Sequence, residues 1–221
     1  LSLYESLLIG AVISSTDAAS VFNILRTNRL SLKYGSASLL EIESGSNDPV
    51  SYMLTVILVS LLAGESVSVP LMLLSQVAIG ILCGVVIGKI AVLLLSRLTF
   101  SDEHGKTILV FAVALVSYAL PDCLGGNGYL SAYLCGILMG NSSIAHKRQL
   151  IHFFDVVTDI SQVIIFFLLG LLVTPAELPA VFVPALCIMV FLTLIARPAA
   201  VSALLLPFRS PLRQIGIVSW A

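Results

Sequence analysis

The residues best suited to chemistry lie inside a long apolar run, Ser36 to Ala63. As a helix this run is about 42 Å long, enough to cross a bilayer of about 30 Å with some tilt. Asp48 lies near its centre, where a carboxylate costs at least ~2.5–3.5 kcal/mol on insertion scales. Such a carboxylate must face protein or water, so the sequence predicts a buried functional site around Asp48.

The neighbours of Asp48 supply further oxygen atoms. Ser44 lies one helical turn earlier on the same face, and Asn47 adjoins Asp48. Pro49 has no N–H, so the carbonyl of Gly45 loses its usual helical donor. Carboxylate, hydroxyl, amide and carbonyl oxygens suit a hard cation or a proton better than a soft transition metal. The pattern therefore indicates a site for a monovalent cation or a proton, with no resident cofactor.

A second polar cluster interrupts the preceding apolar segment, Leu3 to Asn28, about halfway along, at Thr16 and Asp17. Serine, threonine and aspartate side chains compete with the helical backbone for hydrogen bonds. Unwound backbone at this depth is tolerated where it lines a cavity or packs in protein. We therefore expect an interrupted helix at Thr16-Asp17; a continuous helix with solvated hydroxyls is the alternative.

Arg197 lies deep in the apolar segment Leu178 to Pro207. A guanidinium does not shed its charge, so Arg197 needs a buried anion. Glu43, in the same run as Asp48, is the best candidate for this ion pair. Asp17 and Asp48 are the alternatives.

Composition places the chain in a membrane. Of its 221 residues, 58% are hydrophobic and 10% are charged, whereas soluble domains carry about 25% charged residues. The net charge is −1, and no basic tract or aromatic platform points to nucleic acid as a partner. The chain begins and ends within apolar runs without a signal peptide, and we interpret it as a fragment. The predicted fold class is all-α, a polytopic helical membrane protein in contact with the lipid bilayer.

Hydropathy and helix breakers divide the chain into seven segments, and an eighth begins near Leu212. The predicted segments are 3–28, 36–63, 69–98, 106–120, 128–141, 153–173 and 178–207. Of the 11 Lys and Arg residues, all but Lys89 and Arg197 fall in alternate connections, as the positive-inside rule expects of cytoplasmic loops. The connections predicted to be cytoplasmic are Arg26–Lys33, Arg97–Lys106, Lys147–Arg148 and Arg209–Arg213.

These residues together resemble a known family. Thr16-Asp17 in an interrupted helix, Glu43-Ser44 and Asn47-Asp48-Pro49 in the next helix and a later arginine are similar to the monovalent cation:proton antiporters of the NhaP and sodium/proton exchanger type. The complete sequence around these motifs looks most like the branch called cell volume regulation protein A, a group of bacterial potassium/proton antiporters. The resemblance implies that Asp48 binds the cation or the proton, that Asn47 steadies the site, that Thr16-Asp17 line it, and that Glu43 pairs with Arg197.

The resemblance also implies an inverted-repeat fold with a mobile core domain and a rigid domain that forms a homodimer. Residues 1–64 and 176–221 would belong to the core, 65–100 would be a connecting helix, and 101–175 would form the dimer domain. The second interrupted helix is expected to begin near Arg213. Because that helix would be incomplete and the first helices of the family missing, the fragment alone is not expected to transport.

The expected function is exchange of potassium or sodium for protons across a bacterial inner membrane, serving pH and volume homeostasis, with the branch favouring potassium. Asp48 would hold either ligand, and competition between them couples the two fluxes by alternating access. Position 47 is Asn, and Arg197 keeps its proton, so one proton per cation is expected, an electroneutral cycle. Asp17 is expected to keep a single protonation state.

Two other classes share parts of this pattern. Intramembrane aspartyl proteases also place two carboxylates in neighbouring helices, but they resemble one another in Tyr-Asp and Gly-x-Gly-Asp motifs. Here Asp17 follows Thr16, and Asn47 precedes Asp48. A cation channel would need rings of carbonyls or charges from repeated loops, which the sequence does not contain. The pattern thus favours a secondary transporter over an enzyme or a channel.

Overall fold

All regular secondary structure in the described residues is helical, which confirms the predicted fold class. The structure is a computed structural model that describes residues 2–16, 35–65, 68–97, 103–144, 147–208 and 210–220, apart from the side chains of Glu41 and Glu103. Its α-helices are α1 (Leu3–Ile13), α2 (Ser36–Leu62), α3 (Val69–Arg97), α4 (Glu103–Cys123), α5 (Gly128–Gly140), α6 (Lys147–Leu172), α7 (Leu178–Phe191), α8 (Arg197–Leu205) and α9 (Leu212–Trp220). Asp17, the predicted connection Arg26–Lys33 and Arg209 lie outside the described residues.

Four stretches of the described chain are long and apolar enough to cross a membrane. They are Val69–Arg97, His104–Cys123, Lys147–Leu172 and Leu178–Phe208, and they correspond to four of the predicted segments. Helices α1 and α5 are apolar but shorter. Helix α2 is about 40 Å long, but its polar residues, Glu43 and Asp48 among them, make it less apolar. Its place as a membrane span therefore stays a prediction.

Helix α6 begins at Lys147, earlier than the predicted start at Phe153. Its first turns contain Lys147, Arg148 and His152, so hydropathy alone places them outside the apolar segment. The two basic residues therefore lie in the first turn of a helix, which corrects the predicted start of this segment. The cytoplasmic placement of this end stays a prediction.

The last apolar stretch is not a uniform α-helix. Between α7 and α8 lies a π-helical turn, Leu192–Ala196. The Arg197 N–H donates to the carbonyl of Leu192 instead of Thr193, its α-helical acceptor. Pro198 follows and has no N–H, and a proline ring crowds the carbonyl one turn before it. Widening one turn relieves such crowding, and Arg197 begins α8 at this junction.

The helices form two compact units. Unit 1 comprises the described residues of Leu1–Asp17 and Glu43–Val156, and unit 2 those of Ala18–Ile42 and Val157–Ala221. The divisions fall inside α2 and α6. Within unit 2, α9 packs against α8. The predicted core, connecting and dimer domains divide the chain by their role in transport, and they stay predictions.

In unit 1, α3 and α5 pack with their backbones in contact. A Cβ atom at Gly84 would lie 2.7 Å from the backbone oxygen of Ser131, and one at Gly80 would lie 3.0 Å from that of Asn127. Gly88 continues the same face of α3. These glycines therefore let the two helices approach more closely than side chains would allow. Their four-residue spacing places all three on one face of α3, as such packing requires.

The same spacing in α5 has a different outcome. A Cβ atom at Gly136 or Gly140 would meet nothing within 4 Å in the structure. The face of α5 that meets α3 instead contains Asn127, Ser131 and Cys135, all of them buried. Gly136 and Gly140 therefore lie off the contact face, although they have the same four-residue spacing.

An apolar cluster lies toward the far end of α3 from this polar contact face. Leu95 of α3, Val110 of α4 and Leu150 of α6 are buried together. Phe154 of α6 packs against them and meets the ring of Phe153 edge-on, with centroids 5.4 Å apart. The cluster ties the first turns of α6 to α3 and α4 within unit 1.

The α3–α5 contact predicts that Gly84→Ala destabilises the protein. Its Cβ would meet backbone at 2.7 Å, which gives way less readily than a side chain, and we expect a loss of about 1–3 kcal/mol. Thermal unfolding of the purified full-length protein in detergent measures the effect. Gly136→Ala is the matched control, since its Cβ meets open space and alanine favours helix by about 1 kcal/mol. Equal melting temperatures for Gly84→Ala and the parent would contradict this account of the packing.

Candidate functional site

Helix α1 ends where the sequence predicts an interruption. Its last helical residue is Ile13, and the hydroxyl of Ser14 donates to the carbonyl of Ala11 at 2.7 Å. Ser15 and Thr16 have no helical assignment. Helix α1 therefore ends before Thr16, and the resumption of a helix after Asp17 stays a prediction.

The end of α1 contacts the middle of α2. The Ser15 hydroxyl donates a hydrogen bond to Oδ1 of Asp48. Nδ2 of Asn47 donates to Oγ1 of Thr16 at 2.6 Å, and that oxygen lies 3.2 Å from Oγ of Ser44. The structure thus brings Thr16, Ser44, Asn47 and Asp48 together, all of them predicted site residues. Ser15 is an addition that the prediction did not include.

The network leaves oxygen atoms available for a ligand. Oδ1 of Asn47 is buried and has no hydrogen-bond donor among the described residues. A buried acceptor without a donor costs about 1–3 kcal/mol, and a cation satisfies it as well as a donor does. Asp48 adds a carboxylate that is half-buried. Amide and carboxylate oxygens on adjacent residues are the donor set that a hard monovalent cation prefers.

A second hydrogen bond holds α1 against α2. The Ser51 hydroxyl donates to the carbonyl of Ala11 at 2.7 Å, and the bond is buried. Ser51 follows Asp48 by about one turn, so the two lie on neighbouring parts of one face of α2. The site is therefore anchored on both sides of Asp48 by contacts with α1.

Helix α5 and the turn before it contact α2 as well. The ring of Tyr133 covers Gly45, where a Cβ atom would lie 2.5 Å from the ring carbon Cε2. Nδ2 of Asn127 donates to the carbonyl of Pro49 at 2.8 Å. The turn of α2 that contains Asn47 and Asp48 thus lies between two contacts with α5 or its cap.

A group of tyrosines extends this contact beyond Pro49. The Tyr52 hydroxyl donates to Oδ1 of Asp122 at 3.2 Å. The ring of Tyr129 lies 4.9 Å from that of Tyr52 and 5.1 Å from that of Tyr118, measured between centroids. Tyr52 therefore links α2 to the carboxyl end of α4 and the start of α5.

Three residues of this arrangement were missing from the predicted site. Ser15 adjoins the predicted Thr16, but which hydroxyl faces Asp48 depends on where α1 ends. Ser51 is a polar residue on the Asp48 face of α2, a periodicity that could have indicated it. Asn127 stands just before an apolar run, which is a recognised signal for a helix N-cap, but its bond to Pro49 has no signal in the sequence.

The predicted ion pair is not tested by the structure. Glu43 belongs to unit 1 and Arg197 to unit 2, and each unit is described by itself. Both side chains are half-buried, and neither is without a partner. Their pairing stays a prediction, as does any role of Asp17, which lies outside the described residues.

Comparison with known proteins places this arrangement in context. Residues 1–221 match the family model described as "Sodium/hydrogen exchanger, transmembrane". The chain is 39% identical over 219 residues to the "K(+)/H(+) antiporter NhaP" of Alkalimonas amylolytica. It is 40% identical over 222 residues to the "K(+)/H(+) antiporter NhaP2" of Shewanella sp. (strain ANA-3). Each match covers 98% of this chain, and the chain spans 38% of the length of each of these relatives.

A more distant relative carries a different name. The "Probable Na(+)/H(+) antiporter 2" of Methanocaldococcus jannaschii is 29% identical over 208 residues. That match covers 88% of this chain and 49% of the relative.

Proposed function

The chain belongs to the sodium/hydrogen exchanger family of transmembrane proteins, and from that premise we propose that the protein exchanges a monovalent cation for protons as a secondary transporter. The observation that carries the proposal is the site in the middle of α2, where Ser15 and Thr16 bond to Asp48 and Asn47. The two relatives near 40% identity are named as K(+)/H(+) antiporters, which favours potassium. Sodium is the alternative, because the more distant relative is named as a Na(+)/H(+) antiporter.

In this proposal Asp48 binds either the cation or the proton. The Ser15 hydroxyl donates to one carboxylate oxygen and so fixes the orientation of the group. The other carboxylate oxygen and Oδ1 of Asn47 then face the ligand. Protonation removes the charge that attracts the cation, so each ligand displaces the other and the two fluxes are coupled. The Thr16 and Ser44 hydroxyls hold the amide of Asn47 in place.

Alternating access requires the site to move relative to a fixed part of the protein. We assign residues 1–64 and 176–221 to the moving core, 65–100 to a connecting helix and 101–175 to a domain that forms a homodimer. The site would be completed by a second interrupted helix that begins near Arg213. We place the protein in the bacterial inner membrane, with Arg97, Lys106 and Lys147 on the cytoplasmic side.

The cycle is proposed to be electroneutral. Asn47 has no proton to exchange, and an arginine such as Arg197 stays charged throughout. A cation that displaces one proton from Asp48 leaves the net charge of the site unchanged. Asp17 is proposed to keep one protonation state, since hydroxyls and free N–H groups of an interrupted helix can solvate it.

Asp48→Asn in the full-length protein is expected to abolish exchange and leave the fold intact, because it removes the charge at nearly constant shape. Proteoliposomes with a pH-sensitive dye inside, challenged with potassium or sodium, measure the exchange. Asp159→Asn is the matched control, since this carboxylate lies exposed on α6. Exchange by Asp48→Asn at more than a few per cent of the parent rate would remove Asp48 from the coupling role.

A double-mutant cycle tests the proposed pair of Glu43 and Arg197. Breaking a buried ion pair by removing one partner costs about 3–5 kcal/mol, so Glu43→Gln and Arg197→Ala are each expected to lower the melting temperature. The double variant should recover part of the loss. Strictly additive losses would show that Arg197 is compensated by another anion.

The exchange rate is expected to be insensitive to membrane potential. Reconstituted full-length protein should exchange at the same rate with and without a potential imposed by an ionophore for an ion that is not the substrate. A rate that follows the imposed potential would show that more than one proton moves per cation. The dye assay also separates exchange from channel conduction, which would follow the potential.

A further inference from the structure

Asn127 is fully buried and uses both ends of its amide. Its relative exposure is 0%. Oδ1 accepts the N–H of Leu130 at 3.0 Å and thereby caps the first turn of α5. Nδ2 donates to the carbonyl of Pro49 at 2.8 Å, in the middle of α2. One side chain therefore caps the start of α5 and also bonds to Pro49, the residue that follows Asp48 in α2.

The backbone of Asn127 is fixed independently of that bond. Its N–H donates to the carbonyl of Gln76 in α3, and its carbonyl accepts the N–H of Ser131, each at 3.1 Å. The glycines on either side of Asn127 pack so closely against neighbouring residues that no side chain would fit there. A Cβ atom at Gly126 would lie 2.5 Å from a methyl carbon of Ile79, and one at Gly128 would lie 2.5 Å from the carbonyl oxygen of Tyr118. The amide of Asn127 is thus presented by a rigid frame of α3, α4 and α5.

The target of the bond is a weak point of α2. Pro49 cannot donate to the carbonyl of Gly45, so the helix has one restraint fewer in the turn that contains Asp48. Asn127 holds the end of that turn, and the Tyr133 ring covers its beginning at Gly45. Ser15 and Thr16 therefore bond to Asp48 and Asn47 on a turn whose position and rotation are fixed by these contacts with α5 and its cap.

We propose that Asn127 is a positioning residue of the cation site, acting on Asp48 through the carbonyl of Pro49 in one state of the transport cycle. Asn127 lies in the domain proposed to stay fixed and Pro49 in the core proposed to move, so the bond holds the site at one end of that movement. The inference rests on the proposed function, and it assigns to α5 a part in cation binding. The residue type fits the two tasks. Aspartate caps a helix as well as asparagine does, but an ionised carboxylate has no donor for Pro49. A serine hydroxyl also caps, but its oxygen lies one bond closer to the backbone than Nδ2, which reaches the Pro49 carbonyl at 2.8 Å.

That difference supplies the test. Asn127→Ser and Asn127→Asp keep the α5 cap and remove the amide N–H that reaches the Pro49 carbonyl. In the full-length protein both are expected to raise the half-saturating cation concentration about threefold to tenfold, the effect of one lost buried hydrogen bond. Two readouts are used, exchange in proteoliposomes and the rise in melting temperature with added potassium chloride or sodium chloride. Choline chloride controls for ionic strength.

Asn141→Ser is the matched control, because Nδ2 of Asn141 donates within the far end of α5, to the carbonyl of Ile137. It should leave the half-saturating concentration unchanged. The inference is overturned if both Asn127 variants keep the parent's half-saturating concentration while only the maximal rate falls, which is what a purely structural role predicts. It is also overturned if both fail to fold while Asn141→Ser folds. A parent that neither exchanges nor is stabilised by either cation would instead sink the proposed function, and the inference with it.

Discussion

A carboxylate in the middle of an apolar helix must be solvated by the protein, and this requirement shapes unit 1. One turn beyond Asp48 in α2, the hydroxyls of Ser51 and Tyr52 donate to Ala11 and Asp122, so the donor to Asp48 comes from outside α2. It comes from Ser15, directly after α1 ends. Had α1 continued as a helix, its hydroxyls would tend to bond back to the turn before, as Ser14 does with Ala11. Ending α1 early makes Ser15 and Thr16 available, so the interruption and the site have one cause.

The polar site depends in turn on the close packing of α3 against α5. Lipid tails are as apolar as leucine, so helices in a membrane associate through close packing and polar bonds. Gly80 and Gly84 of α3 provide the packing, since they admit the backbone of α5 at a distance that any side chain would block. The same contact fixes Asn127, whose amide reaches α2. The glycines of α3 thus help to fix the position of Asn127 and, through it, the turn of α2 that contains Asp48, although they do not contact that turn.

The sequence predicts the parts of this arrangement that follow from the free-energy cost of burying polar groups. Long apolar runs define the spans, and Asp48, Asn47, Thr16 and Ser44 stand out because such residues are rare at that depth. What it does not predict depends on rotation about a helix axis. Gly84 and Gly136 share the same spacing pattern with their neighbours, yet only Gly84 faces another backbone.

Helix ends are similarly hard to predict. The basic first turn of α6 lowers its hydropathy, so the apolar signal begins later than the helix does. The choice of Ser15 as the donor to Asp48 is fixed by the residue at which α1 stops. The bond from Asn127 to Pro49 joins residues far apart in the chain, and neither an asparagine nor a proline requires the other as its partner.

Two prolines within long apolar runs share a feature that the sequence does display. Each follows a charged residue, in Asp48-Pro49 and in Arg197-Pro198. In α2 the proline deprives the Gly45 carbonyl of its helical donor. Before Arg197, the donors that would serve Thr193 and Leu194 are redirected to Leu192 or absent. A carbonyl with fewer donors favours positive charge nearby. Next to Pro198 the sequence provides a permanent positive charge, Arg197, and at Asp48, under the proposed function, the positive charge is the transported cation. A proline that removes a helical donor therefore stands beside a fixed charge in unit 2 and, under the proposed function, beside an exchangeable one in unit 1.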